Sequence, residues 1–95
     1  MQLAKIVGTV VSTKKDERLE GLTLHIVRYI DTDGKPTGSF VIAVDSVGAG
    51  TGEIVLVAAG SSARQTNITK DKPVDTVIMA IVDELEIDGK TVYQK

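Results

Sequence analysis

The sequence has no cysteine, and this absence removes disulfide bonds and thiolate metal ligands as sources of stability. Its single histidine, His25, cannot build a metal cage alone, so neither a metal nor another cofactor is expected. A chain of 95 residues makes one domain, residues 1–95, and buries only roughly 60 to 65% of its unfolded surface. Since so small a core is only marginally stable, and disulfide bonds and metal sites are excluded, we expect oligomerisation to stabilise the fold.

Aromatic residues and net positive charge are also scarce. The chain has only Tyr29, Phe40 and Tyr93, which lie far apart in sequence, and its formal net charge is -2. Nucleic-acid binders normally carry a basic field, and single-strand binders need several aromatic side chains on one face for base stacking. The composition therefore disfavours a nucleic-acid partner.

Long apolar runs and a secretion signal are missing as well. No apolar stretch approaches the roughly 20 residues that a membrane-spanning helix requires. The chain does not open with a basic region followed by an apolar run. We therefore expect no membrane partner and a cytoplasmic location.

The β-branched residues, in contrast, are abundant. Valine and isoleucine supply 22 of the 95 residues, which favours pleated backbone and predicts an all-β protein. The sequence pattern predicts strands over 3–13, 22–30, 40–44, 54–59 and 74–82, and a C-terminal β-hairpin from Glu84 with an Asp88-Gly89 turn. After Gly60, a serine cap with Gln65 three residues beyond Ser62 predicts one short helical turn. We expect a small five-stranded, OB-like β-barrel.

The strand predicted over 22–30 has one cleaner apolar face, and His25 lies on the other face. No cysteine or second histidine accompanies His25 to complete a nucleophile or a metal site. We interpret it as a packed or interface residue. No catalytic residue is identified, and no enzyme activity is expected.

Three predicted strands are apolar on both faces: 40–44, 54–59 and 77–82. A strand of a monomeric barrel alternates between an apolar inner face and a polar outer face. The chain has no long helix to cover a second apolar face, and large exposed apolar patches are rare on soluble monomers. We therefore expect another copy of the chain to cover these faces, although the pattern does not fix the number of copies.

A glycine-rich loop, Gly48-Ala49-Gly50-Thr51-Gly52, connects two of these strands. Three glycines at alternate positions specify a tight backbone path, because glycine adopts positive φ and allows close backbone approach at no steric cost. The dinucleotide fingerprint G-x-G-x-x-G does not fit, since the third glycine comes one residue early and a strand follows. We interpret the loop as a tight turn packed against a neighbour.

A longer pattern surrounds this loop. Asp45 is followed by Gly48-Ala49-Gly50-x-Gly52-Glu53, then by Val55-Leu56 and by Gly60-Ser61-Ser62-Ala63-Arg64. Together with 3–11 at the start and with 73–75 and 81–83 near the end, this arrangement resembles the signature of the EutN/CcmL family. That family comprises the pentameric vertex proteins of bacterial microcompartment shells.

The resemblance implies a structural protein, a cyclic homopentamer that caps shell vertices, with hexameric shell proteins as partners. It also implies that five copies of one loop, one from each subunit, meet around the five-fold axis; the loop residues are Gly48, Ala49, Gly50, Thr51 and Gly52. We predict a second set of residues in subunit contacts, namely Asp45, Glu53, Ser61, Ser62 and Arg64. The block from 45 to 64 is more similar to the metabolosome branch of the family than to the carboxysome branch.

Two alternatives stay open at this stage. Arg64 and exposed amide groups beside it could hold an anion, or Arg64 could pair with a carboxylate across a subunit contact, which we favour. The alternative function is an OB-like barrel that binds a small anion or single-stranded nucleic acid. Retention on an anionic resin that depends on salt would distinguish a genuine polyanion binder.

Overall fold

The computed structural model describes residues 1–95 and confirms the all-β prediction. The strands are β1 Gln2–Val10, β2 Leu24–Ile30, β3 Pro36–Asp45, β4 Ile54–Ala59, β5 Thr76–Ile81, β6 Glu84–Ile87 and β7 Lys90–Gln94. Two short 3-10 turns lie at Glu17–Leu19 and Gly60–Arg64. Neither turn has the length or hydropathy of a membrane-crossing helix.

Five strands close into a barrel in the order β1-β2-β3-β5-β4, with β4 paired back onto β1. All pairings are antiparallel except a short parallel contact between β3 and β5, where Val44 pairs with Val77. Each strand sends at least one fully buried side chain into the interior: Ile6, Val27, Ala43, Val55 and Ile78. The predicted five-stranded barrel is thus confirmed, and its interior is filled by side chains, as expected of so small a barrel.

The strand boundaries differ from the prediction mainly around the turn between β2 and β3. The predicted strands 22–30 and 40–44 leave the segment between them outside any strand, yet β3 begins at Pro36, which pairs with Ile30. The Asp31 carboxylate accepts hydrogen bonds from the backbone N–H groups of Asp33 and Lys35, at 2.9 and 3.0 Å. Because this side chain closes the turn within a few residues, strand pairing resumes earlier than the sequence suggested.

The two faces of β2 differ in burial, and the buried face is the one that carries the histidine. His25 and Val27 point into the barrel and are buried, whereas Leu24 and Ile26 on the cleaner apolar face point outward and are only half-buried. Alternation fixes which residues share a face, but it does not say which face is inside. Here the interior accepts a histidine because that side chain finds polar partners there.

The C-terminal hairpin has the predicted turn. Asp88 and Gly89 have φ values of 52° and 77°, the positive pair that a type I′ turn requires. Leu85 and Tyr93 of the hairpin pack against a buried cluster of barrel residues: Ile30, Ile54 and Val82. An isolated two-stranded hairpin is marginal in water, so this apolar contact stabilises it on the barrel.

The helical turn after β4 forms, but the predicted serine cap is wrong. The 3-10 turn starts at Gly60 directly after Ala59, which makes no side-chain capping bond. Gly60 has a φ of 69°, and its N–H donates to the carbonyl of Asp75 at 2.8 Å. The positive φ of Gly60 and this backbone bond set the start of the turn, two residues before Ser62, so no serine hydroxyl is needed there.

Candidate functional site: the glycine loop and the outer barrel face

The glycine loop, residues 46–53, joins β3 to β4. Gly48 and Gly52 have φ values of 77° and 92°, so both positions need glycine for conformational reasons. A Cβ at Gly50 would meet the Glu53 Oε1 atom at 3.6 Å, an ordinary contact, and nothing lies within 4 Å of a Cβ at Gly48 or Gly52. Within one chain the loop therefore borders open space on the side of Gly48 and Gly52.

The Asp45 side chain fixes the start of the loop. Its Oδ1 accepts hydrogen bonds from the backbone N–H groups of Val47 and Gly48, at 2.9 and 3.0 Å. Its Oδ2 lies 3.2 Å from Nε2 of His25, and both side chains are almost fully buried. A carboxylate that accepts several hydrogen bonds in a water-poor position is strongly bound to its partners. Asp45 therefore acts within its own chain as the anchor of the loop.

The Glu53 side chain fixes the end of the loop. Its Oε1 accepts from the N–H of Gly50 at 2.7 Å, and its Oε2 accepts from Nζ of Lys95 at 2.5 Å. The hydrogen bond from Lys95, together with that from Gly50, lowers the pKa of the Glu53 carboxyl, and the same contact raises the pKa of Lys95. The second loop anchor is therefore a carboxylate that stays ionised below the usual glutamate range.

Backbone bonds to β1 complete the support of the loop. The N–H of Gly52 donates to the Ile6 carbonyl at 2.8 Å, and the N–H of Ile6 donates to the Glu53 carbonyl at 3.0 Å. Ala49 is buried and packs in the core cluster of its own barrel. Of the five loop residues selected from the sequence, Gly48, Thr51 and Gly52 are exposed, Gly50 is half-buried and Ala49 points inward.

The remaining predicted contact residues lie at the other end of β4. Ser61, Ser62 and Arg64 are exposed on the 3-10 turn, roughly 20 Å from the loop across a six-residue strand. Arg64 donates from Nη1 to the Val74 carbonyl at 3.1 Å, within its own chain. The structure therefore brings Asp45 and Glu53 to the loop and leaves Ser61, Ser62 and Arg64 in a separate group.

Sequence reasoning missed three residues around the loop: Thr9, His25 as a partner of Asp45, and Lys95. Thr9 Oγ1 lies 3.4 Å from Nδ1 of His25, and Lys95 reaches Glu53 from 42 positions away. A lone histidine on a strand gives a signal only once its face is known to be internal. The contact with Lys95 has no local sequence signal, because it depends on where the hairpin packs.

The outer surface of β2 and β3 carries a second feature, an uncovered apolar stripe of Ile26, Phe40 and Ile42. Ile26 pairs directly with Ile42, and Phe40 pairs with the exposed Arg28. Phe40 is 58% exposed and Ile42 is 39% exposed. Further along the same face, Val44 is covered by its own chain, including Leu24 and Val74. The apolar stripe is therefore a surface that the monomer leaves open to water.

Comparison with known proteins identifies this arrangement. The family model described as "Ethanolamine utilisation protein EutN/carboxysome" matches residues 1–83. The chain belongs to the EutN/CcmL family. The resemblance read from the Asp45–Arg64 block is thereby confirmed, and the model's range takes in the glycine loop and all five barrel strands.

Full-length relatives of this EutN/CcmL protein have names that describe shell vertices. It is 44% identical over 95 residues to the bacterial microcompartment shell vertex protein EutN of Salmonella typhimurium, covering 100% of this chain and 96% of the relative. It is similar to CcmL of Nostoc sp. PCC 7120, a carboxysome shell vertex protein, with 42% identity, 100% coverage of both chains and a TM-score of 0.95. These two identities are too close to separate the metabolosome and carboxysome branches.

A third relative is described by its assembly. The GrpN pentameric microcompartment shell protein of Rhodospirillum rubrum is 46% identical, with a TM-score of 0.83 over 92% of this chain and 99% of its own. The names of all three relatives denote structural shell proteins, and none denotes an enzyme.

Proposed function

We propose that this EutN/CcmL-family protein is a structural, non-enzymatic homopentamer that caps the vertices of a bacterial microcompartment shell, with residues 1–95 acting as one domain. The observation that carries the proposal is the full-length similarity to a shell vertex protein, together with the similarity over 92% of the chain to a pentameric microcompartment shell protein. A flat layer of hexagonal tiles cannot close, and five-fold units supply the missing curvature. The compartment is a cytoplasmic body, and hexameric shell proteins are the lateral partners.

The apolar stripe of Ile26, Phe40 and Ile42 is one half of the proposed subunit contact. In a cyclic ring each subunit uses two different patches, one against each neighbour. Phe40 lies beside Ile42 and is 58% exposed, so burial of this aromatic side chain against another chain contributes most of the stabilisation from the stripe. The Arg28 guanidinium beside Phe40 adds a polar rim to this patch.

The second half of the contact is the groove beside the 3-10 turn. A cavity of about 340 Å³ lies between this turn and the barrel, lined by Met1, Ala58, Ala59, Ser62, Gln65 and Met79. Its mixed apolar and polar walls suit an aromatic side chain with a polar rim. Ser61, Ser62 and Arg64 stand at or beside this groove, which keeps them in the proposed interface even though Arg64 bonds a carbonyl of its own chain.

The glycine loop is placed at the five-fold axis in this proposal. Its exposed positions are Gly48, Thr51 and Gly52, and the space above Gly48 and Gly52 is open in the single chain. Loops from five subunits can approach closely there because no side chain projects from either glycine. Asp45 and Glu53 act as the anchors of the loop, so they shape the axis from within each subunit.

The alternative of a barrel that binds anions or single-stranded nucleic acid has no supporting observation. Tyr29 packs against the barrel core, and Tyr93 packs between the hairpin and the barrel. Phe40 alone is an exposed aromatic, whereas base stacking needs several on one face.

Co-expression with the hexameric shell protein of the same compartment tests the vertex role. We expect closed polyhedral shells, seen by electron microscopy, when both chains are present, and open sheets or tubes when this chain is omitted. Closed shells in its absence, or shells that exclude the chain, would contradict the proposal. A Phe40→Ser variant serves as the control that is expressed but should not close shells.

A further inference from the structure

A hydrogen-bonded chain, exposed at Thr9 and buried at the side chains of His25 and Asp45, runs from β1 through β2 and β3 to the glycine loop. Thr9 Oγ1 lies 3.4 Å from Nδ1 of His25, Nε2 of His25 lies 3.2 Å from Oδ2 of Asp45, and Asp45 Oδ1 accepts from Val47 and Gly48. We propose that His25 is a positioning residue for the glycine loop, which it orients through Asp45, and that the charge on its imidazole is transmitted to the loop amides. The position of this loop at the five-fold axis rests on the proposed function.

The barrel geometry delivers these three side chains to one place. Thr9 pairs with His25 across β1 and β2, and His25 pairs with Ala43 across β2 and β3. Asp45 lies two residues beyond Ala43, so it shares the inner face and is a diagonal neighbour of His25. A β-bulge between Ile6 and Gly8 shifts the register of β1 before it reaches Thr9. Strand pairing, not local sequence, therefore builds the chain.

The hydrogen bonds of the Asp45 carboxylate show why its orientation depends on His25. Oδ1 of Asp45 is occupied by two backbone N–H groups, and Oδ2 has one partner, Nε2 of His25. The side chains of His25 and Asp45 are only 7% and 6% exposed, so water cannot replace that partner freely. Without the imidazole N–H, a buried carboxylate oxygen loses its hydrogen bond and the carboxylate is free to turn away from the loop.

Because of Thr9, the His25 imidazole can hold Asp45 both when the imidazole is neutral and when it is protonated. A hydroxyl both donates and accepts, so Oγ1 of Thr9 can donate to Nδ1 of a neutral imidazole or accept from Nδ1–H of an imidazolium. In both states Nε2–H faces Asp45. Protonation of His25 therefore leaves the geometry of the chain intact and changes the charge behind the loop by one unit per subunit.

Other charged groups do not take the place of Asp45 in this arrangement. The packed strands carry Lys5 on β1 and Arg28 on β2, which are both exposed, and Tyr29, which is half-buried. Asp45 is the one charged residue on β3. The far end of the loop is bound to Glu53, whose carboxylate is held ionised by Lys95 and the Gly50 N–H. The two ends of the loop are thus held by different charge partners, an imidazole behind Asp45 and a lysine ammonium beside Glu53.

Amide NMR of the assembled protein, labelled with ¹⁵N, tests this proposal. We expect the resonances of Val47 and Gly48 to shift with pH at the same midpoint as the His25 imidazole, while Gly50 does not move over that range because Glu53 stays ionised. In His25→Gln, whose side-chain amide still donates but does not titrate, the shifts should vanish and the two amides should stay protected from hydrogen exchange. In His25→Phe, which has similar volume and no donor, exchange at both amides should accelerate by roughly tenfold or more.

Two results would overturn the proposal: loop amides in the parent that do not follow the imidazole, or His25→Phe amides as protected as those of the parent. If His25→Phe does not fold, the comparison of the parent with His25→Gln decides the matter by co-titration alone. Light scattering on the same samples gives the oligomer mass. A parent that is not pentameric would refute the proposed function while leaving the His25 measurement valid.

Discussion

Removing Phe40 from the apolar stripe should weaken assembly far more than it weakens the subunit. The side chain of a phenylalanine carries about 200 Å² of apolar surface, and Phe40 is 58% exposed, so about 120 Å² is available for burial by a neighbour. At about 25 cal/mol per Å², full burial contributes about 3 kcal/mol at each subunit contact. Phe40→Ser gives up this contribution at every contact of the ring.

The measurement is a dilution series followed by light scattering. Because each contact loses about 3 kcal/mol, the contact dissociation constant should rise by about two orders of magnitude. Val11→Ser is the matched control, since Val11 is 88% exposed just beyond the end of β1 and lies outside the apolar stripe. If Phe40→Ser dissociates at the same protein concentration as the parent and Val11→Ser, the stripe is not a subunit contact.

Three further predictions follow from the loop and the 3-10 turn. Thr51→Glu should lower pentamer yield in size-exclusion chromatography without unfolding the subunit, because five added carboxylates would repel one another at the axis; an unchanged yield would place the loop elsewhere. The ion pair of Glu53 and Lys95 should stabilise the folded protein at pH values above the ordinary glutamate pKa. This stabilisation should be lost as the pH falls through the lowered pKa of Glu53 in the folded state. On acidification, the melting temperature of Lys95→Met should therefore fall less than that of the parent. Arg64→Ala removes the hydrogen bond to the Val74 carbonyl, at a cost of about 1 kcal/mol, and should also lower the melting temperature most at low protein concentration, because Arg64 lies in the proposed subunit interface. A loss that is equal at all protein concentrations would show that Arg64 supports only its own chain.

The sequence predicted the features that local chemistry decides. Alternate glycines predicted a tight loop, and Gly48 and Gly52 do adopt positive φ. The Asp88-Gly89 pair predicted a type I′ hairpin for the same reason, since few residues tolerate that backbone conformation. Apolar strands without covering helices predicted surfaces left open by the monomer, and Phe40 and Ile42 form such a surface. For the other two strands this prediction was wrong. The hairpin covers Ile54, and Ala63 and Val74 cover Ala58 and Val77, so the chain itself buries these second faces.

The features that the sequence did not predict depend on long-range pairing. A period of two residues says that His25 and Ile26 face opposite ways, but only barrel closure puts His25 inside, beside Asp45. Lys95 meets Glu53 because the hairpin packs on the barrel, and no local pattern encodes that position. The capping prediction failed at Ser62 because the bond from Gly60 to Asp75 starts the turn two residues earlier.

The oligomer mass tests the central claim most directly. Native mass spectrometry of the purified chain at micromolar concentration should show one dominant species at five times the 10.1 kDa subunit mass. A trimer or hexamer would leave the argument from exposed apolar surface standing and remove the vertex assignment. A stable monomer would contradict both.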